Sequence, residues 1–294
     1  MASDKEITIY DLAQHLGMSA ATVSRALNQH PAVNKKTSRK VNELATQLGY
    51  QKNSFASNLR HKSSYTIGVI IPKLDSHFIT SVLTGIEEVI AESEYNIIIV
   101  NSDEKSDRET SNVRKLFHKR VDGLIASLAY GTENLFHYDA FLQKGTPIVF
   151  FDRVEKTGPG IKIVIDNEQA GYDATMHLIE QGCKQIMYVT GNLTKNVYND
   201  RLKGYQAALS QNHLPFEPDM LVINDLTEEA GVEVAERILS MKNKPDGVFI
   251  TRDLCAAICM QRLREGGVIV PGDIAMVGFN DDVISRAVEP KLTT

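Results

Sequence analysis

The residues with the most readily interpreted chemistry lie near the N-terminus. Outward positions of short helical segments there carry Thr, Ser, Arg, Asn and Lys, in place of the Glu and Lys mixture of a solvated helix face. Hydroxyl, amide and guanidinium groups donate hydrogen bonds to phosphate oxygens and base edges. Arg25 has a fork that can bond guanine through two parallel hydrogen bonds. This pattern predicts a module that binds double-stranded DNA.

The distribution of charge agrees with that prediction. The whole chain of 294 residues has a net charge of −5. Residues 1–64 carry nine Lys and Arg against four Asp and Glu, whereas the remainder carries 23 against 33. A small basic module is therefore joined to a large acidic body.

Sequence signatures of catalysis are missing. The chain contains no Gly-rich phosphate loop, no Gly-x-Ser-x-Gly motif and no His-Glu-x-x-His motif. Its eight histidines are scattered, and the adjacent Asp281 and Asp282 form a poor carboxylate pair because neighbouring side chains seldom converge. Cys255 and Cys259 stand at i, i+4 spacing, and packing explains them better than a shared metal because no His or third Cys stands nearby. We predict a protein that is not an enzyme and needs no cofactor or metal.

The chain also lacks the segments that direct a protein to a membrane. The N-terminus has no basic stretch followed by an apolar region, and no run approaches about 18 apolar residues. We therefore predict a cytoplasmic, nucleoid-associated protein without a membrane partner.

Three short helices are predicted in residues 1–50. Thr8 is a candidate N-cap for a helix over Ile9–Leu16, Gly17 supplies a turn, and Ser19 can cap a second helix over Ala20–Leu27. A third helix follows Asn34 and stops at Gly49. Two helices joined by a short Gly-containing turn are typical of a helix-turn-helix headpiece. The alternative is a three-helix bundle without affinity for DNA.

Residues 51–64 form a polar, basic linker that contains enough apolar residues for one short helix. Beyond it, continuous apolar runs alternate with helical periods, which predicts α/β lobes with parallel, doubly wound sheets. The predicted strands are Thr66–Ile71, Asn96–Val100, Gly123–Ser127, Pro147–Phe151, Lys162–Ile165, Gln185–Thr190, Met220–Ile223, Gly247–Thr251 and Ile274–Gly278. Sheets of this class bind ligands beyond the carboxyl ends of their strands.

The ordered motifs of the chain resemble the lactose-repressor family of transcription regulators. The headpiece motif is ITIYDLAQHLGMSAATVSRALN, the linker motif is NSFASNLR, and the body continues with YTIGVIIP, VFFDR, DRLKGYQAAL, PDGVFITRD and IAMVGFNDD. The resemblance covers about residues 7–294. It implies a three-helix headpiece (1–50), a hinge linker (51–64) and a periplasmic-binding-protein-like body (65–294) with lobes at about 65–164 and 165–284.

The resemblance also implies which residues contact DNA. The helix that enters the major groove carries Ala20, Ala21, Thr22, Ser24 and Arg25. The residues expected to reach phosphates are Thr8, Tyr10, Ser19 and Asn28. In the hinge, Asn53, Ala56 and Leu59 match the family, with Leu59 as the minor-groove wedge, although it could instead pack against the body. Lys52 replaces the usual proline and Ser57 a common arginine, which should loosen the linker and remove a phosphate contact.

Effector-binding positions follow from the same resemblance. They are Asp75, Ser76, His77, Phe78, Ser127, Asp152, Asn192, Arg201, Arg252 and Asn280. Phe78 is a candidate for stacking against a sugar ring, and Arg201 is a candidate for bidentate hydrogen bonds to ligand oxygens. Arg252 adds a cation and Asn280 removes an anion relative to many sugar binders, which favours an anionic ligand. Arg252 could equally form an ion pair with Asp253 or Asp281, or an ion pair across the cleft.

The resulting hypothesis is a homodimeric repressor or activator, with a repressor favoured, that binds a near-palindromic operator and is controlled by a small molecule, a sugar or sugar derivative. The alternatives are control by a protein co-effector and, on the same fold, a sugar-processing enzyme. Family members continue for roughly 40 residues beyond the Leu292–Thr294 motif, so we also expect a longer reading frame with a further helix and strand.

Overall fold

The computed structural model describes residues 7–50 and 63–294. The chain divides into two compact units, residues 1–62 and 63–294. The hinge positions Asn53, Ala56 and Leu59 lie outside the described residues, so their DNA contacts remain predictions.

The first unit contains the three predicted helices, α1 (Ile9–Leu16), α2 (Ala20–Leu27) and α3 (Lys35–Gln47). The Thr8 side chain accepts from the Asp11 backbone while the Asp11 carboxylate bonds back to Thr8, so α1 begins with a complete capping box. The side chains of Ser19 and Asn34 cap α2 and α3 by accepting from the backbone N–H groups three residues later, without the reciprocal bond of a capping box. Their side-chain oxygens satisfy donors that have no partner inside the helix, which is why each helix starts there.

A small apolar core holds these helices together. Leu12, Val23, Ala26 and Val41 are fully buried and lie on the inward faces of the three helices. Gly17 follows α1 with a φ of 63°, a left-handed conformation that lets the chain reverse within the three residues before α2. The predicted helix-turn-helix headpiece is therefore confirmed as a fold.

The first lobe of the body is a five-stranded sheet. Its strands are β1 (Thr66–Ile71), β2 (Asn96–Asn101), β3 (Gly123–Ala126), β4 (Ile148–Phe151) and β5 (Ile161–Ile163), all parallel and in the order β2-β1-β3-β4-β5. Three helices connect them: α4 (His77–Ala91), α5 (Ser106–His118) and the short α6 (Asp139–Gln143). Val69 and Ile71 pack towards α4, whereas Ile70 packs towards α5. Both faces of β1 are therefore buried, which explains its continuous apolar sequence.

The second lobe repeats this arrangement around four parallel strands. They are β6 (Ile186–Thr190), β7 (Leu221–Ile223), β8 (Gly247–Ile250) and β9 (Ala275–Val277), in the order β7-β6-β8-β9. The helices of the lobe are α7 (Asn167–Glu180), α8 (Asn196–Gln211), α9 (Glu228–Ser240), α10 (Asp253–Glu265) and α11 (Val283–Ala287). Cys255 and Cys259 are fully buried on α10, and burial raises the pKa of the Cys255 thiol to about 12.

Two glycines allow α7 and α8 to cross at very short distance. A Cβ atom on Gly204 would lie 2.0 Å from the Glu168 backbone oxygen, and one on Gly171 would lie 2.3 Å from the Arg201 backbone oxygen. Each glycine therefore accepts the backbone of the opposite helix where a side chain would stand. This crossing sets the position of Arg201 relative to the first turn of α7.

The predicted fold class is confirmed, and all nine predicted strands are present. Differences are confined to the ends of elements: Met220 belongs to a 3₁₀ turn before β7, and Ser127 lies just past β3. No helix in residues 7–50 or 63–294 is both long and apolar enough to cross a membrane.

Candidate functional site

The outward face of α2 carries side chains that have few partners within the headpiece. Ala21 and Arg25 are exposed, and the Arg25 side chain makes no hydrogen bond or ion pair among residues 7–50. The Thr22 and Ser19 hydroxyls lie 2.9 Å apart at the start of the helix, and Ser24 is half-buried. The guanidinium of Arg25 is thus available to an external acceptor, whereas Ala20 and Ala21 can offer only methyl contacts.

The residues predicted to contact phosphates differ in their exposure and in the hydrogen bonds that they already make within the headpiece. Tyr10 is 73% exposed at the start of α1. The Thr8 hydroxyl already donates to the Asp11 carboxylate at 2.6 Å, so a phosphate would compete with the capping box for that hydrogen. The Asn28 side-chain amide donates to the Ser24 backbone oxygen at 2.7 Å, and Asn28 itself is exposed at the end of α2.

A cavity of about 270 Å³ lies between the two lobes of the body. The first lobe contributes Pro72, Lys73, Ser76, Phe78, Ile79, Asp103, Glu104, Tyr130, Asp152 and Arg153, and the second contributes Val197, Tyr198, Arg201, Asp225, Leu226, Thr227, Thr251, Arg252 and Asn280. Most of these residues follow the carboxyl ends of strands or lie on the first turns of helices, and Arg201 lies in the second turn of α8. The position is the one that parallel α/β sheets favour for ligands.

Six of the ten predicted effector-binding residues line this cavity, namely Ser76, Phe78, Asp152, Arg201, Arg252 and Asn280. The other four lie elsewhere. Asp75 is exposed and 3.6 Å from Lys73, and His77 is exposed at the start of α4. Asn192 uses its side-chain oxygen to accept from the Thr194 backbone, and the Ser127 hydroxyl is fully buried without a hydrogen-bond partner among the described residues. Sequence position near a strand end does not decide whether a side chain points to the cavity.

An aromatic and ionic cluster lies on one side of the cavity and was not predicted from the sequence. The Arg153 guanidinium lies 4.2 Å from the Tyr130 ring centre, and its Nη1 donates to both oxygens of Glu104 at 2.8 and 2.7 Å. Tyr198 crosses from the second lobe, with its hydroxyl 2.7 Å from that of Tyr130. Burial opposes the charge of Arg153, but the two tyrosines and Glu104 together raise its pKa. This arginine is already neutralised by protein groups.

Arg201 occupies the second lobe in a different environment. Its guanidinium lies 3.6 Å from the Phe279 ring centre, and its Nε donates to the Asn167 side-chain oxygen at 2.9 Å. Burial lowers the pKa of Arg201, although the nearby Asp152 carboxylate opposes that shift. Burial likewise raises the pKa of Asp152, against the effect of Arg153 and Arg201. The terminal nitrogens of Arg201 make no hydrogen bond within the described chain, so they remain available to a ligand.

The Arg252 side chain makes one hydrogen bond within residues 63–294, from Nη1 to the Leu226 backbone oxygen at 3.3 Å. No described carboxylate lies within ion-pair distance of it. Asp281 instead pairs with Arg286 at 2.7 Å, and Asp253 accepts from the Asp282 backbone. The alternative prediction of an Arg252 ion pair with Asp253 or Asp281 is therefore not realised in this structure.

The lobes are joined by hydrogen bonds at the first turn of α8. The Asn196 side chain accepts from the Val154 backbone at 2.9 Å and donates to the Asp152 backbone oxygen at 2.9 Å. Lys156 and Asp200 form an ion pair of 2.6 Å across the same boundary. Asp152 itself has a φ of 57°, a left-handed conformation that other lining residues such as Glu104 and Asn280 share. Such backbone strain is concentrated at binding sites in proteins.

Comparison with known proteins agrees with this geometry. Residues 8–53 match the family model of bacterial regulatory proteins, lacI family, and residues 175–294 match a periplasmic binding protein-like domain. Catabolite control protein A of Priestia megaterium is 35% identical over 98% of this chain and 86% of its own length. The HTH-type transcriptional repressor PurR of Aliivibrio salmonicida is 31% identical over 98% of this chain and 86% of its own length.

A solved structure of the Lac repressor dimer bound to operator and the anti-inducer ONPF is similar, with a TM-score of 0.86 and 26% identity over 98% of this chain and 86% of that one. These relatives are regulators, not enzymes. The headpiece and the two-lobed body occur here in the same order, and this chain belongs to the lacI family of bacterial regulatory proteins, as a DNA-binding transcription regulator.

Proposed function

We propose that this regulator is a repressor that binds a near-palindromic operator as a homodimer and changes its operator affinity when a small molecule enters the interlobe cavity. The observation that carries the proposal is the cavity itself, which presents Arg201 and Arg252 without carboxylate partners opposite the carboxylate of Asp152. A repressor of this kind acts on chromosomal DNA in the cytoplasm.

The chemistry of the cavity supports a sugar or sugar derivative that carries negative charge. The Asp152 carboxylate accepts no hydrogen bond from the described residues, so it can accept from ligand hydroxyl groups. Phe78 supplies apolar surface for the C–H face of a ring. A volume of about 270 Å³ lies just below the range of about 300–1,000 Å³ for ligand pockets, which suits a single ring.

An exposed apolar surface on the first lobe supports the homodimer. Val89 on α4 is 74% exposed, Leu74 before that helix is 55% exposed, and Ile99 on the edge strand β2 is 41% exposed. Exposed apolar side chains can mark an interaction site, and a second copy of the chain would cover the same residues on both partners. A dimer carries two headpieces, which requires two related half-sites in the operator.

Both lobes line the cavity, so a ligand that contacts both favours one degree of lobe closure. A ligand shifts a conformational equilibrium only by its difference in affinity for the two states. We infer that this shift changes the spacing of the paired headpieces and hence the affinity for the operator.

The test begins with selection of an operator from random DNA by the full chain. Glucose, gluconate, glucuronate and glucose 6-phosphate are then titrated by calorimetry and in operator gel shifts. We expect an anionic member to bind and change operator affinity, and Arg252→Asn to shift the ratio of affinities towards neutral glucose. Unchanged operator affinity with every sugar, together with a response to a protein partner, would contradict control by a small molecule.

The DNA-binding role is tested separately. Arg25→Ala is expected to cost about 1–3 kcal/mol on the selected operator and much less on random DNA, because bidentate base contacts contribute only to the specific complex. Lys35→Ala, an exposed cation at the start of α3, serves as the matched loss of charge. Equal losses on operator and random DNA for Arg25→Ala would show that Arg25 does not read a base.

A further inference from the structure

Arg153 and Arg201 both line the cavity but are anchored by different chemistry. Arg153 is held by the carboxylate of Glu104, which accepts two hydrogen bonds from Nη1. Arg201 is held by the carboxamide of Asn167, which accepts one hydrogen bond from Nε at 2.9 Å. A carboxylate anchors an arginine and cancels its charge, whereas a carboxamide anchors it and leaves the charge in place.

Asn167 is itself fixed in the orientation that this contact requires. The residue is 4% exposed, and its side-chain nitrogen donates to the Ile165 backbone oxygen at 3.3 Å. Because the nitrogen faces a carbonyl, the side-chain oxygen faces Arg201. Asn167 is the first residue of α7, and the glycine crossing described above brings the Arg201 backbone against Gly171, one turn further along that helix.

The remaining contacts of Arg201 hold its guanidinium plane without occupying its terminal nitrogens. Phe279 covers one face at 3.6 Å, and a ring face attracts a cation without accepting a directed hydrogen bond. A long side chain loses rotamer freedom when a ligand fixes it, so an arginine that is already held binds an anion with a smaller entropic cost.

We propose that Asn167 is a positioning residue that presents Arg201 to the cavity without a hydrogen-bonded carboxylate to cancel its positive charge, so that this part of the second lobe selects the anionic group of the ligand. The inference rests on the proposed function only in assigning that ligand as the regulatory effector. Asn167 does not touch the ligand and acts through Arg201.

The experiment follows the Nε–H signal of Arg201 by ¹⁵N NMR in the full chain, assigned from its disappearance in Arg201→Lys. Inorganic sulfate is titrated as the anion probe at constant ionic strength. The variants are Asn167→Ala, which removes the anchor, and Asn167→Asp, which keeps the anchor and cancels the charge. Asn212→Ala is the matched control, because it removes a half-buried asparagine elsewhere in the second lobe whose amide donates to the Ala208 backbone oxygen.

In the wild-type chain and in Asn212→Ala we expect a signal that exchanges slowly with water and shifts on addition of sulfate. Asn167→Ala should speed the exchange, whereas Asn167→Asp should preserve slow exchange but weaken sulfate binding by about tenfold or more, since a buried carboxylate competes with the anion. Thermal unfolding of each variant verifies that the body remains folded.

A wild-type signal that does not respond to sulfate, or equal sulfate affinity in Asn167→Asp and the wild type, would overturn the inference. Rapid exchange in the wild type would do the same, because it would mean that the anchor is absent. If sulfate binding depends on Asn167 but no sugar changes operator affinity, the inference stands and the proposed function falls.

Discussion

The substitution Gly204→Ala isolates the contribution of the α7–α8 crossing. The added Cβ would lie 2.0 Å from the Glu168 oxygen and 2.5 Å from the Tyr172 nitrogen, and both are backbone atoms that cannot rotate away. Overpacking of this kind costs about 1–3 kcal/mol, and we place this site at the upper end because the two helices must separate. Replacing glycine in a helix interior returns about 1 kcal/mol. The net loss is about 2 kcal/mol, which lowers the Tm of a body of this size by about 4–8 °C.

Ala207→Gly provides the control on the same helix. Ala207 is exposed on α8, so this change reports helix propensity without a packing contribution and should lower Tm by about 2–4 °C. Propensity alone would make the two substitutions opposite in sign, whereas the crossing makes both of them destabilising. Scanning calorimetry of the full chain resolves the transition of the body. A Tm for Gly204→Ala at or above that of the wild type would refute the reasoning.

Three further outcomes are expected. Tyr198→Phe removes the hydroxyl that bonds to Tyr130 across the lobes and should increase the radius of gyration measured by small-angle scattering. Tyr205→Phe, which loses a hydrogen bond inside the second lobe, should not change it. Equal radii in the two variants would contradict a role of the Tyr198 hydroxyl in holding the lobes together. Burial raises the pKa of Asp253 from 3.8 to about 6, so the folded state favours the protonated carboxyl; the resulting contribution to stability is complete below about pH 4 and is lost as pH rises through about 6. Asp253→Asn should therefore flatten the dependence of Tm on pH over that window. An unchanged slope would be inconsistent with the shift. Leu59→Ala should reduce the operator bend seen in gel shifts while effector affinity stays the same, and an unaltered bend would exclude a wedge at this position.

Local sequence determined most of the secondary structure because its determinants act over a few residues. The caps Thr8, Ser19 and Asn34 bond to backbone groups three positions later, and each predicted helix starts where its cap stands. The strands of the body are equally predictable from local sequence, since burial on both faces requires a continuous apolar run, as in β6.

The first residue of α8 could not be predicted from local sequence. The helical period of the sequence predicts a helix over Arg201–Gln211, but α8 starts at Asn196. Its first turn is stabilised by contacts with the other lobe, as in the bonds of Asn196 to Asp152 and Val154. Contacts between residues more than 40 positions apart leave no periodic signal in the sequence.

By itself the sequence determined the family, the order of elements, and the strand ends around which a ligand site had to form. Only the tertiary structure decided which polar residues at those ends face the cavity, so that Asp152 and Arg201 line it while Ser127 and Asn192 do not. It alone also distinguished Arg153, neutralised by Glu104, from Arg201, which keeps its charge beside Asn167. The reason is physical: residue type sets what a group can bond to, but the charge that a site presents depends on which partners the fold brings within hydrogen-bond distance.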